Sequence, residues 1–120
     1  MNWNFDCSYT YLPNIYYRNV KPDIYDNPKL LLFNHDLANE LDIEVNNNEG
    51  EICDLLLGKK INNKKFFSQA YAGHQFGHFT ILGDGRALLL GEHINKDNKR
   101  FDIQLKGSGQ TPYSRNGDGK

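Results

Sequence analysis

The sequence has little of what marks several large classes of protein. Two cysteines, Cys7 and Cys53, are all it carries in 120 residues. They lie far apart and in no motif, so a disulfide framework is excluded and a reducing, cytoplasmic setting is the simplest reading. Neither charge is in surplus: fourteen Lys and Arg face fifteen Asp and Glu, for a net charge of −1. Proteins that hold nucleic acid by bulk electrostatics carry a basic excess, as do polybasic membrane anchors, so neither partner is expected. No apolar run approaches the ~18 residues of a membrane span; the longest clean ones are Leu30 to Phe33 and Ala87 to Leu90. The opening Met-Asn-Trp-Asn-Phe-Asp lacks the basic region and apolar core of a secretory signal. With 38 % apolar residues and a mean hydropathy of −0.70, the expected core is modest and belongs to one domain.

What is present is unevenly spread. Pro13, Pro22 and Pro28 fall in an aromatic lead that includes Tyr9, Tyr11, Ile15, Tyr16 and Tyr17. Each proline removes an N–H donor and restrains the residue before it, so the lead is extended, and its tyrosines are expected to cover the core formed by the rest of the chain. Asn34 to Leu41 reads as a helix capped by Asn34, with Leu37, Ala38 and Leu41 on one face. Glu49 to Leu57 reads as a second, with Ile52, Leu55 and Leu56 as its apolar side and Gly58 as its stop. Lys59 to Lys65 reads as a solvated polar loop.

Nine of the eleven glycines stand at or after Gly73, and the texture changes there. His78 to Leu82 is a strand candidate, Gly83-Asp84-Gly85-Arg86 a turn, Ala87 to Ile94 a strand, and Asn95 to Asn98 a second turn. In Arg100 to Lys106, Phe101, Ile103 and Leu105 alternate with Asp102, Gln104 and Lys106, a strand with one apolar and one polar face. The remainder, Gly107 to Lys120, is rich in glycine, hydroxyls and charge and has no apolar periodicity.

Gly83 and Gly85 would let a backbone approach phosphate oxygens closely, and Lys106, at the polar end of a neighbouring strand, would reach back under them. A lysine and one phosphate charge about 4 Å apart attract by roughly 4 kcal/mol at an effective dielectric near 20, before desolvation. A glycine loop with a lysine on a later strand is the kinase arrangement, although Leu88 stands where a kinase has its third glycine. The same Gly-x-Gly also fits a plain hairpin turn. It is neither a Walker loop nor a dinucleotide fingerprint, since it lacks a Gly-Lys-Ser/Thr and a strand comes next. His74 and His78 have a spacing that on a helix could share a metal, but Gly73 and Gly77 argue against a helix, and histidines bonded to loop backbone are the alternative.

Ala70-Tyr71-Ala72-Gly73-His74-Gln75-Phe76-Gly77, Leu82 to Ala87, Leu90-Gly91-Glu92, Asp102 to Gly109, Thr111-Pro112-Tyr113-Ser114-Arg115 and Gly117-Asp118-Gly119 together resemble the selenoprotein O family in order and spacing. Gln110 and Asn116 depart from the family's usual arginine and glycine. The resemblance implies an α+β, protein-kinase-like N-lobe with antiparallel strands and short N-terminal helices, incomplete because the C-lobe is absent. It divides into an N-terminal extension, 1–69, and a β-rich nucleotide-binding part, 70–120. It implies ATP-dependent transfer of AMP to Ser, Thr or Tyr hydroxyls of proteins. ATP would be bound by Gly83, Gly85, Arg86, Lys106, Asp118 and Gly119. The Mg2+ ligands and the catalytic aspartate are expected beyond Lys120, so this chain alone should be inactive. A non-catalytic remnant or weak nucleotide-binding module is the alternative. A three-stranded sheet without its covering helix would also leave an apolar face in water.

Overall fold

A computed structural model of the chain describes residues 3–61, 65–75 and 77–120. It is α+β, built on a six-stranded antiparallel sheet. The strands are β1 (Phe5–Asp6), β2 (Tyr17–Asn19), β3 (Phe67–Gln75), β4 (His78–Gly83), β5 (Ala87–Ile94) and β6 (Arg100–Lys106). Between β2 and β3 come two short helices, α1 (His35–Glu40) and α2 (Glu49–Leu56). Strand β5 is central: it pairs with β6 along its length on one edge, and with β1 and the start of β3 on the other. Its residues from Ala87 to His93 are all buried, as a strand flanked on both edges and covered on both faces requires.

Both helices form where their caps stand. The Asn34 side chain accepts from the Leu37 amide at 3.0 Å and that of Asn48 from the Glu51 amide at 3.2 Å. Gly58, at φ 67°, ends the second helical segment. Ala38 and Leu41 are buried, whereas Leu37, expected on the same face, is 44 % exposed. The alternation in β6 is as read: Phe101, Ile103 and Leu105 turn inward and their neighbours outward. That inner face packs against Leu41, Ile43 and Leu55 on one side, and Phe66, Leu88 and Leu90 on the other. The helical layer therefore covers the apolar face expected to be bare. Apolar exposure falls elsewhere, at Ile24, Leu31 and Leu32 before α1 and at Phe79 and Ile81 in β4.

The lead contributes two strands that its prolines and tyrosines did not disclose. The structure bears out only part of its expected role: Tyr9 stacks on Phe67 at 5.3 Å and Tyr17 meets the same ring edge-on, while Tyr11, Ile15 and Tyr16 are exposed. The lead is fixed mainly by polar contacts. Buried Glu92 accepts from the Ser8 amide at 2.7 Å and from the Ser8 hydroxyl, and meets Arg100 at 3.2 Å. Arg100 in turn pairs with Asp6 at 2.9 Å. His93, 3 % exposed, accepts at Nδ1 from the Asn4 amide, so its Nε2 donates to the Leu41 carbonyl at 2.7 Å. The polar loop from Lys59 lies in part outside the described residues; at its start Lys59 pairs with Asp54 at 3.2 Å.

The hydrogen bond from Arg100 holds the Asp6 carboxyl below its ordinary pKa. A lowered folded-state value contributes stability above the ordinary carboxylate range near pH 4 that is lost as pH falls through the folded value. Asp6→Asn should therefore have a lower urea midpoint than the wild type at pH 6, with the gap closing below about pH 4. A gap independent of pH would show that the pair contributes no charge-dependent stability.

Candidate functional site

Besides the single-residue shift between Leu89 and Gly91 against β6, the sheet has a larger irregularity opposite β3, and the candidate residues gather around it. Ala70 pairs with Gly83 and Phe67 with Leu89. Two residues lie between these points on β3 and five on the opposite strand, so residues 84–86 are a three-residue excess. Strands β4 and β5 both run antiparallel to β3, so the chain does not reverse at Gly83–Arg86. The turn read there is corrected to a bulge in one continuing strand. The reversal comes earlier, between Gln75 and His78, which are partners across the hairpin. The left-handed glycine a tight reversal favours is Gly77, at φ 79°; neither Gly83 nor Gly85 has a positive φ.

Gly83 and Gly85 serve close approach. A Cβ on Gly83 would lie 2.3 Å from the Tyr113 ring, and one on Gly85 2.9 Å from the Tyr113 carbonyl. What approaches on that flank is the tail, residues 107–120. It takes up the three bulge carbonyls in turn: the Thr111 hydroxyl donates to that of Asp84, the Ser114 hydroxyl to that of Gly85, and the Gly107 amide to that of Arg86 at 2.7 Å. Among the described residues no hydrogen bond uses the amides of Gly85 or Arg86.

Arg86 and Lys106 both stand at the end of the β5–β6 ladder. Lys106 is the partner of Ala87, directly after Arg86. A Cβ on Gly107 would stand 3.6 Å from the Arg86 guanidinium and 3.7 Å from the Lys120 backbone. Both cations are exposed, and neither forms an ion pair among the described residues. The tail closes against itself beside them. Gly119 (φ 77°) is packed so tightly on Gly109 that a Cβ would meet its carbonyl at 2.1 Å. Asp118 is exposed, and its carboxylate accepts from the Lys120 amide at 3.0 Å. Gly109 in turn lies on Asp23, whose amide donates to the Ser108 carbonyl at 2.7 Å. Arg86, Lys106, Asp118 and Gly119 thus collect at one end of the sheet, with Gly83 and Gly85 on the flank under Tyr113.

His74 and His78 lie on different strands. His74 pairs with Phe79 and His78 with Gln75, so the alternation of side chains puts the two imidazoles on opposite faces of the hairpin. Among the described residues no group of three or more His, Cys, Asp or Glu could hold a metal.

Sequence reasoning did not single out Asp84, Thr111, Tyr113 and Ser114. Thr-Pro-Tyr-Ser is legible as a four-residue turn with proline second, and the structure closes it through the Ser114 amide and the Thr111 carbonyl at 3.0 Å. Nothing in the pattern says that its two hydroxyls face the bulge. The Asp84 carboxylate has one oxygen buried without a partner, and burial pushes its pKa up.

The family model for protein adenylyltransferase SelO matches residues 1–120. The chain is 50 % identical to the protein nucleotidyltransferase YdiU of Pelagibacter ubique, covering 100 % of this chain and 25 % of that protein. It is 53 % identical to that of Brevibacillus brevis and 54 % identical to that of Clostridium perfringens, in each case over 98 % of this chain and 24 % of the relative. The chain thus spans about a quarter of the length of these relatives.

The close approach at Gly83 and the burial of Asp84 can each be tested by unfolding. Gly83→Ala should cost about 1–3 kcal/mol by overpacking against Tyr113, and most of that loss should vanish in a Tyr113→Ala background. Urea melts of the four proteins in this double-mutant cycle measure the coupling, and simple additivity would show that the ring is not the obstacle. Asp84 has a raised folded-state pKa, so its contribution to stability falls as pH rises above the ordinary carboxylate range. The urea midpoint of Asp84→Asn should therefore gain on that of the wild type between pH 4 and pH 7, and a constant difference would contradict this.

Proposed function

The chain belongs to the protein adenylyltransferase SelO family, and on that premise we propose that it forms the nucleotide-binding part of an ATP-dependent enzyme that transfers AMP to Ser, Thr or Tyr hydroxyls of proteins. The observation that carries the reading is the pairing of two unneutralised cations, Arg86 and Lys106, with the unbonded amides of the bulge. The tail takes the carbonyls of residues 84–86, which leaves the donor side of the same peptide units for an anion. A polyphosphate suits a guanidinium, an ammonium and backbone N–H groups carried at one end of a sheet. Asp118 and the Gly119 backbone, beside them, would contact the nucleoside end.

On this reading β3, the continuous β4–β5 strand and β6 form the antiparallel meander of a kinase-like N-lobe, with Lys106 ending the third strand. The bulge then lies within the second strand, displaced from the hairpin tip. Residues 1–69 are the extension that braces it and 70–120 its nucleotide-binding part.

In the reaction, the oxygen of a target hydroxyl attacks the α-phosphorus. The bond from that phosphorus to the oxygen bridging to the β-phosphate breaks, pyrophosphate leaves, and the hydroxyl proton passes to a base. Arg86 and Lys106 would stabilise charge on the phosphate oxygens as the bond breaks. The carboxylates described here do not assemble a metal site; Mg2+, which neutralises phosphate charge when bound, would draw its ligands from outside this chain, as would the base. The 120 residues alone are then inactive. The enzyme would work in the cytoplasm, where a reducing setting keeps thiols such as Cys7 and Cys53 free; no helix among the described residues is long and apolar enough to cross a membrane.

Lys106→Ala in the full-length protein tests the reading. Incubated with ATP labelled at the α-phosphate, the wild type should label protein, and with γ-label it should not. The variant should lose about a hundredfold or more in rate, with its melting temperature within about 2 °C, as expected of an exposed lysine without an ion pair. Unchanged labelling by the variant would take Lys106 out of the site, and none by the wild type would favour the non-catalytic alternative.

A further inference from the structure

We infer that Thr111 and Ser114 are positioning residues for the nucleotide: their hydroxyls hold the bulge in the form that presents its amides. The inference rests on the nucleotide-binding reading above and adds to it two residues that need not touch the ligand.

A three-residue excess in an antiparallel strand is a poor place for backbone order. Among the described residues only its Asp84 amide still reaches β3, at the Gln69 carbonyl 2.9 Å away, and buried carbonyls left without donors are costly. Here each carbonyl of the excess is supplied by the tail, two of the three by side chains. The two hydroxyls are used alike. Thr111 Oγ1 donates to the Asp84 carbonyl and accepts from the Tyr113 amide at 3.1 Å. Ser114 Oγ donates to the Gly85 carbonyl and accepts from the Thr111 amide at 2.7 Å. Each hydroxyl thus has its proton and one lone pair committed, and each links the bulge to the turn that carries the other. Thr111 is 8 % exposed, so water is a poor substitute for its hydroxyl.

The peptide plane couples this to function. A carbonyl and the amide of the next residue point in opposite directions across one rigid unit. Fixing the Asp84 carbonyl fixes the Gly85 amide, and fixing the Gly85 carbonyl fixes the Arg86 amide. These are the two amides that no described hydrogen bond uses. Neither glycine restrains its own backbone, so the tail hydroxyls supply an orientation that the local sequence does not. Losing one should weaken nucleotide binding more than it slows transfer once the nucleotide is bound.

The test compares Thr111→Val, Ser114→Ala and Thr111→Ser in the full-length protein. Thr10→Val serves as a control, because Thr10 makes a similar hydroxyl-to-carbonyl bond, to Cys7 at 2.7 Å, away from the bulge. Thr111→Val and Ser114→Ala should each raise the KM for ATP about tenfold, the usual effect of one lost hydrogen bond, with kcat changed less than about twofold. Thr111→Ser should restore KM, and Thr10→Val should leave it unchanged. Hydrogen exchange at the Asp84 and Gly107 amides, which are bonded to the Gln69 and Arg86 carbonyls at the bulge, should quicken in the first two variants alone, a readout independent of activity. Unaltered KM and exchange in Thr111→Val and Ser114→Ala would overturn the inference while leaving wild-type AMP transfer, and so the function, standing. So would a kcat loss shared with Thr10→Val, which signals a general loss of stability. A wild type that neither binds ATP nor transfers AMP overturns both, whatever the exchange rates show.

Discussion

The register slip between β3 and the β4–β5 strand is the constraint on which the candidate site depends. Without the three extra residues, β5 would continue the ladder begun by β4, and the carbonyls and amides that face β3 near Gly83 would be used up in the sheet. With them, a short stretch of backbone is released from β3 yet held within a strand whose two ends are fixed. Released backbone must find other partners, and it finds them in the tail. The order in the tail therefore depends on the slip. Glycine-rich and without an apolar pattern, this segment has no core of its own, and it is arranged by the carbonyls it satisfies and by the Cβ atoms missing from Gly83, Gly85 and Gly109.

The slip can persist because β5 is fixed beyond it. Glu92 and His93, near the far end of β5, are tied to Ser8, Asn4 and Leu41, and through these to the lead and the end of α1. A buried carboxylate without donors would be costly; Glu92 receives the Ser8 amide and hydroxyl and the Arg100 guanidinium. A strand held this way cannot slide by a residue to absorb the bulge, since a one-residue shift would turn Glu92 and His93 to the wrong faces. Thus the N-terminal lead, remote in sequence from the candidate residues, helps keep them where they are.

How much of this the sequence disclosed depended on the range of the interaction. The helices are legible because the Asn34 cap, the Gly58 stop and the apolar spacing of Ile52, Leu55 and Leu56 act within a turn or two of backbone, and β6 because its alternation is local. The strands of the lead were not, because Phe5–Asp6 and Tyr17–Asn19 are too short to show a period and form only by pairing with β5 and β3. The bulge was misread as a turn for a related reason: Gly-Asp-Gly supports either geometry, and the choice is made by β3, which holds both flanks antiparallel to itself. The grouping of Gly83, Gly85, Arg86, Lys106, Asp118 and Gly119 came from family resemblance. Arg86 and Lys106 stand at the end of the β5–β6 ladder, whereas Gly83 and Gly85 lie on the flank under Tyr113. The roles of Thr111 and Ser114 could not be read, since a Thr-Pro-Tyr-Ser turn looks the same whichever way its hydroxyls face.

The cations of the sheet show the same division between bracing and binding. Arg100 and Arg86 flank the two ends of one ladder. Arg100 is paired twice, with Asp6 and Glu92, and its charge is spent on holding the lead. Arg86 and Lys106, at the other end, have no carboxylate partner among the described residues, although the chain as a whole is slightly acidic. Folding therefore gains no ion pair from either of them. A sheet end that keeps them unpaired, beside backbone donors turned outward by the tail, is disposed to receive negative charge. A bound polyphosphate would supply the counter-charge that the described residues do not, and the site would then be most completely ordered when it is occupied.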